Sequence, residues 1–368
     1  MTSITIITLI KHLPTTFRER DFPFLLCFGT VLYGIFLGIV QNPIVYVINS
    51  GGWVSSLLIG FHLYINWQYY PQYRRVIQSV FFWGILVLSL YGIIQFCLAP
   101  EWDRFWIISI DKNSFGNPEP FGIRTASTME SAHSLGYALT TGIILSFNDR
   151  QNTWRFPVLA IASLTLLLTQ ARSVWLGLLV AAVFLVASFK PSMQIKTLLG
   201  LAFISLMVIP LLYLEPFSSI IIERFDTFVN ISKDVSLNAR LEGYGRWMNI
   251  ALIEVVGKGA GFQIVDRTIG SFDGTLMPML LTFGWIGTIP YFSGLLLMLS
   301  KAYQIKESNC DSFMIASRAI VLSLLVQIGF SYLFFGAMGT FFWGFLGTSL
   351  AGQKYYLIQR KLVAKMAS

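Results

Sequence analysis

Arg172 is the only charged residue between Phe156 and Phe189, a run of 34 residues reading FPVLAIASLTLLLTQARSVWLGLLVAAVFLVASF. A helix needs about 20 residues to cross a hydrocarbon core of ~30 Å, so the run is too long for one span and just long enough for two short ones. A cation at mid-membrane is costly, which places Arg172 at a tight turn with a span on either side. One guanidinium is thereby held at a membrane face, with no acidic neighbour in sequence. It suits an anionic ligand that arrives through the lipid.

Only 12% of the 368 residues are charged and 55% are hydrophobic. Soluble domains carry about 25% charged residues, so composition predicts an all-α polytopic membrane protein, a single integral membrane domain over 1–368. Cys27, Cys97 and Cys310 lie in or beside apolar runs without metal-ligand spacing, which argues against a disulfide framework. The run Ile4–Ile10 is short and follows no basic region, unlike a signal peptide.

Ten apolar segments are expected as spans, roughly 22–47, 50–67, 76–98, 134–147, 156–170, 173–189, 197–214, 275–299, 313–335 and 338–358. Two polar stretches are long: an outer loop at 99–133 and a large loop at 215–274, between the seventh and eighth spans. With both termini cytoplasmic and spans alternating, the inner side holds 16 of the 26 cations, Arg318 among them, and 5 of the 18 acids. Every short inner loop then carries Lys or Arg, as the positive-inside rule expects. The +8 net charge is thus a topology signal and not a nucleic-acid footprint. Both long loops and the Arg172 turn fall on the outer face.

Four features converge there. They are the turn TQARSVWLG with Arg172; the helix entry GIRTASTMESAHSLGYAL with Arg124, Glu130 and His133; NARLEGYGRWMNIALIEVVGKGAGF with Arg240 and Arg246; and SFDGTLMPMLLTFGWIG with Asp273, Gly284 and Gly287. Each has a plainer reading. Arg172 could be an interfacial anchor. Arg124 could bind phosphate or pair with Asp103 or Glu119. In the third feature Met248, Ala251, Leu252 and Val255 line one side of a helix whose other side carries Arg246, so Arg246 could meet lipid headgroups. Asp273 could be an N-cap, and His133 and Glu130 could be structural. Gly259 and Gly261 read as helix termination and not as a nucleotide loop.

In this order the four features resemble the O-antigen ligase and O-antigen polymerase family of bacterial inner membranes. That family has an Arg after Thr or Ser at a turn between spans, a large periplasmic loop with an Arg and a Trp-containing helix, and a polar residue ahead of Gly-x-x-Gly. The resemblance covers about residues 80 to 350, with Ala126 and Ser127 replacing a glycine region of the family's helix entry. It implies transfer of a glycan from an undecaprenyl-pyrophosphate-linked donor to a glycan acceptor at the periplasmic face, without cofactor or metal. A chain-length regulator or flippase would be the protein partner. Arg172, Arg240 and Asp273 would be catalytic, and Arg124, Arg246, His133 and Glu130 would bind substrate. The ligases carry a His eleven residues before the first glycine of Gly-x-x-Gly, and here that position is Asp273. Its loss favours repeat-unit polymerisation over ligation to lipid A core. The alternative is a small-solute or anion transporter, since cyanobacterial proteins tied to bicarbonate uptake resemble the same family. A transporter is expected to show broken or polar spans near mid-membrane.

Overall fold

The structure, a computed structural model, describes residues 21–41, 43–110, 115–129, 131–148, 154–189, 194–195, 202, 213, 215, 244–245, 248–262, 274–304 and 311–367. The named elements are all helical, in the order α1 (Phe22–Gln41), α2 (Pro43–Ile65), α3 (Tyr70–Leu98), α4 (Glu101–Ile110), α5 (Ala132–Asn148), α6 (Arg155–Leu168), α7 (Arg172–Ser188), α8 (Leu276–Tyr303), α9 (Ser312–Leu325) and α10 (Gly336–Ala367).

Among the described residues, four helical stretches are long and apolar enough to cross a membrane: Phe22–Val40, Trp67–Leu98, Leu276–Tyr303 and Ser312–Gly329. The exposed side of α3 shows what solvates them. Val76, Val80, Trp83, Val87, Leu90, Ile94 and Leu98 form one stripe at three- and four-residue spacing, and all are exposed. A helix facing water would carry charge on that stripe, whereas lipid accepts apolar side chains.

The expected pair of short helices around Arg172 is present as α6 and α7, of 14 and 17 residues. Other boundaries shift. The first helix ends at Gln41 and the second already begins at Pro43, ahead of the expected break at 48–49, because proline fits a helix's first turn. The turn-like Asn49-Ser50-Gly51-Gly52 lies inside α2, where a Cβ at Gly52 would stand 2.6 Å from the Phe335 ring. The ninth span stops at Leu325 and tightens into a 3₁₀ turn, Val326–Gly329, instead of running to 335. The stretch expected as the outer loop 99–133 contains α4. The seventh segment, 197–214, and the loop 215–274 lie largely outside the described residues.

The chain divides into two compact units. The first (Met1–Pro71, Val235–Cys310 and Leu324–Ser368) holds α1, α2, α8 and α10. Its interior is aromatic, with Trp53 edge-on to Phe283 at 4.7 Å and Tyr291 5.3 Å from Phe334. Helices α2 and α10 touch backbone to backbone. A Cβ at Gly60 would lie 2.5 Å from the Trp343 carbonyl oxygen, and one at Gly347 would collide with the Gly60 oxygen. Lipid supplies no hydrophobic drive between apolar helices, so close packing through small residues takes its place.

The second unit (Gln72–Asp234 and Asp311–Ser323) holds α4 to α7 and most of α3 and α9. Helix α5 packs on α6 and α7. Arg74 reaches Asp311 at 2.9 Å, and Asp311 caps α9 by accepting the Met314 N–H at 2.8 Å. Arg318, counted above among inner-face cations, sits inside α9 with 0% exposure. It is an interior charge held by its surroundings, so the loop cations alone carry the orientation argument.

Candidate functional site

Arg124 and the Arg172 turn, far apart in sequence, meet in the second unit. The segment leading to Arg124 is a folded cap. Gly116 pairs with Ile123 in an antiparallel bridge, and Arg124 donates its backbone N–H to Phe115 at 2.7 Å. Ala99, Ile107, Phe115, Ile123 and Ala126 form a small core beneath α4. On α4, Trp102, Phe105 and Ile108 face outward, the arrangement of an interfacial helix. Asp103, a possible partner of Arg124 in the sequence reading, accepts the Tyr91 hydroxyl at 2.8 Å. Gln95, buried in α3, accepts the N–H groups of Ala126 and Ser127 at 2.9 and 2.8 Å.

From this platform Arg124 donates Nε–H to the Thr169 carbonyl at 2.7 Å and Nη2–H to the Gln170 carbonyl at 3.4 Å. Those carbonyls close the C-terminus of α6, where a cation is favoured by the helix dipole. The turn is only three residues long, with Gln170 left-handed at φ 54°. Thr169 Oγ1 donates to Leu166 and accepts from the Ala171 N–H, and Trp175 Nε1 donates to Leu166 at 3.0 Å. Arg172 is the first residue of α7. A cation at that end opposes the dipole, so an anion bound there would relieve the opposition and meet the helix's first amides.

Arg124 is therefore a positioning residue for the turn as well as a candidate ligand. Arg124→Ala should destabilise the protein by about 1.5–3 kcal/mol, the range for hydrogen bonds that involve a charged group. Arg124→Lys should recover part of that by returning the cation without its fork. Thermal unfolding in detergent measures both, and a wild-type melting temperature for Arg124→Ala would rule the clamp out.

His133 lies at the start of α5, half-buried, where Ser131 Oγ accepts the Ser134 N–H at 3.1 Å. Glu130, Arg240, Arg246 and Asp273 lie outside the described residues. Residues 248–253 are helical, and the residues expected on their apolar side divide between core and surface. Met248 and Ala251 pack on Met277, Leu280 and Leu281, while Leu252 and Val255 are exposed.

The Gly-x-x-Gly of the fourth feature breaks α8 in the first unit. Gly284 has φ 62° and ψ −174°, a region open in practice only to glycine. In an unbroken helix the Leu281 and Thr282 carbonyls would accept from the N–H groups of Trp285 and Ile286. Here they accept from Lys258 and Gly259 at 2.8 and 2.9 Å, while Trp285 and Ile286 donate to Glu254 and Val255, each at 3.2 Å. Gly259 does not merely end a helix. It lies against α1, where a Cβ would stand 2.6 Å from the Gly38 nitrogen, and Ala260 N–H donates to Gly34 at 2.7 Å.

Gln95 was missed by sequence reasoning, although a lone amide inside the apolar stretch 76–98 is a signal that could have found it. The Thr169 and Gln170 carbonyls leave no sequence trace. Among the described residues no group of three His, Cys, Asp or Glu side chains gathers where one metal ion could be held. No known protein family matches this chain as a whole, and no curated protein matches its sequence.

Proposed function

We propose that this chain is a membrane-embedded glycosyltransferase of the bacterial inner membrane with ten spans and both termini cytoplasmic. It would transfer a glycan from an undecaprenyl-pyrophosphate donor to a glycan acceptor at the periplasmic face, extending a repeat-unit polymer. The observation that supports this is the turn at Thr169–Arg172, gripped by one arginine and begun on its other side by a second. Arg172 and the first amides of α7 would supply positive potential where a diphosphate leaves, with Arg124 holding the turn. In the reaction the acceptor hydroxyl oxygen bonds to the anomeric carbon, the bond from that carbon to the diphosphate breaks, and the hydroxyl proton passes to a base. Asp273 is our candidate for that base, and burial would have to raise its affinity for protons. Arg240, Arg246, His133 and Glu130 would contact donor or acceptor. The diphosphate is already a good leaving group, so the scheme needs no metal.

The Gly284 break is the one observation that leans toward transport. Transporters leave unwound carbonyls open to coordinate ions. Here the two freed carbonyls and two freed amides are all taken by residues 254–259. The break reads as a docking point for the loop, and transfer remains our reading.

The test is the purified protein in nanodiscs with a labelled undecaprenyl-pyrophosphate repeat unit. A ladder of longer products, retained in the presence of a chelator, is the expected result. No ladder, together with bicarbonate uptake by proteoliposomes, would replace this reading with the transport one.

A further inference from the structure

The first unit holds a basic pocket that the glycan-transfer reading does not use. It is a cavity of about 320 Å³ between the C-terminal parts of α2, α8 and α10, lined by Tyr64, Lys301, Gln353, Lys354 and Lys361, with aliphatic walls from Leu350, Leu357 and Ile358. Ligand pockets start near this size, at ~300 Å³.

Its chemistry is one-sided. Three lysines face one cavity, and its described lining residues include no carboxylate. Lys354 is held in place by aromatic faces, with Nζ 4.9 Å from the Tyr64 ring and 5.6 Å from the Trp67 ring. Tyr64 and Gln353 are themselves buried, at 8% and 7% exposure, and add neutral hydrogen-bonding groups to the wall. Lys354 and Lys361 are seven residues apart on α10, two turns along one face, with Leu350 and Leu357 on the same face. Measured from the start of α10, Lys354 stands about 27 Å along the axis, close to the thickness of a hydrocarbon core. Leu357, on the rim, is 43% exposed. A cationic floor with an aliphatic rim at interface depth matches a molecule with an anionic head and apolar tails.

We propose that this pocket binds a phosphate-bearing anion, namely the headgroup of an anionic phospholipid seated between α2, α8 and α10. Free phosphate offers the same charge without the tails, so the experiment separates the two sources. The proposal does not depend on the glycan-transfer reading.

The test uses the full-length protein, delipidated in neutral detergent and titrated with phosphatidylglycerol, phosphatidylcholine or inorganic phosphate. Retained lipid is counted by native mass spectrometry, and melting temperature is followed in parallel. Phosphatidylglycerol should bind and raise the melting temperature, and phosphatidylcholine should not. Lys301→Gln/Lys354→Gln/Lys361→Gln should weaken phosphatidylglycerol binding at least tenfold, while Lys365→Gln, a change farther along α10, should leave it unchanged. If the triple variant does not fold, Lys361→Gln alone should still weaken binding severalfold. Binding of inorganic phosphate as tight as that of phosphatidylglycerol would overturn the lipid assignment in favour of a soluble phosphate. Equal binding of the two lipids, or a variant that binds as wild type, would overturn the site.

Discussion

Arg172→Ala is expected to lower the rate of glycan transfer by about 10²–10³, the loss typical of removing one donor to a developing anion. Its melting temperature should stay level or rise slightly, because Arg172 begins α7 and a cation there opposes the dipole by about 0.3–1 kcal/mol. An interfacial anchor predicts the reverse pattern: lower stability, unchanged rate, and full rescue by Arg172→Lys. If the guanidinium fork binds a diphosphate, Arg172→Lys should keep the charge and still lose most of the rate. Single-turnover transfer by the purified variants, with melting curves on the same samples, measures both sides. A full rate for Arg172→Ala would remove the residue from the mechanism.

The reason this turn was legible in advance is that one charge in 34 apolar residues has few places to go. Its place between two helices follows from the length of the run, and α6 and α7 end within a few residues of the expected points. Arg124 was legible as a candidate but not in its contacts. Charge suggested Asp103 or Glu119, whereas its guanidinium donates to the two carbonyls closing α6, which every residue carries and no pattern marks. The first boundary was misplaced for a related reason. Asn49, Ser50, Gly51 and Gly52 punctuate a soluble chain, but within lipid small residues are the contact points of helices, and Gly52 lies against Phe335. The stretch 99–133 looked like a plain loop because Glu101, Asp103 and Arg104 interrupt its apolar residues. That mixture is what a helix lying at an interface shows. Arg318 carries the opposite lesson. Counting assumed that a cation near a span's end faces headgroups, and packing instead buried it.

Gly284→Ala is expected to prevent stable folding of the first unit. A Cβ at 284 would strike the Val255 carbonyl oxygen and come within 2.5 Å of the carbonyl carbons of Val255 and Val256. The contact is with backbone, which cannot rotate aside. Holding a side-chain-bearing residue in this conformation costs about 1–3 kcal/mol before any collision is counted. Moving residues 254–259 away would release four backbone hydrogen bonds, worth about 0.5–1.5 kcal/mol each in water and more where lipid offers no replacement. Helix α8 could close across Gly284 and recover two of the four, but the amides of Lys258 and Gly259 and the carbonyls of Glu254 and Val255 would need new partners. Gly29→Ala is the control, since Gly29 lies in α1 with nothing near its Cβ position and its replacement should stabilise by up to ~1 kcal/mol. Fluorescence-detected size exclusion of both variants in detergent reads the outcome: a monodisperse peak for Gly29→Ala and an aggregated or absent one for Gly284→Ala. A well-folded Gly284→Ala that had lost solute uptake would mean that the break moves during function, which a docking point for a loop has no reason to do.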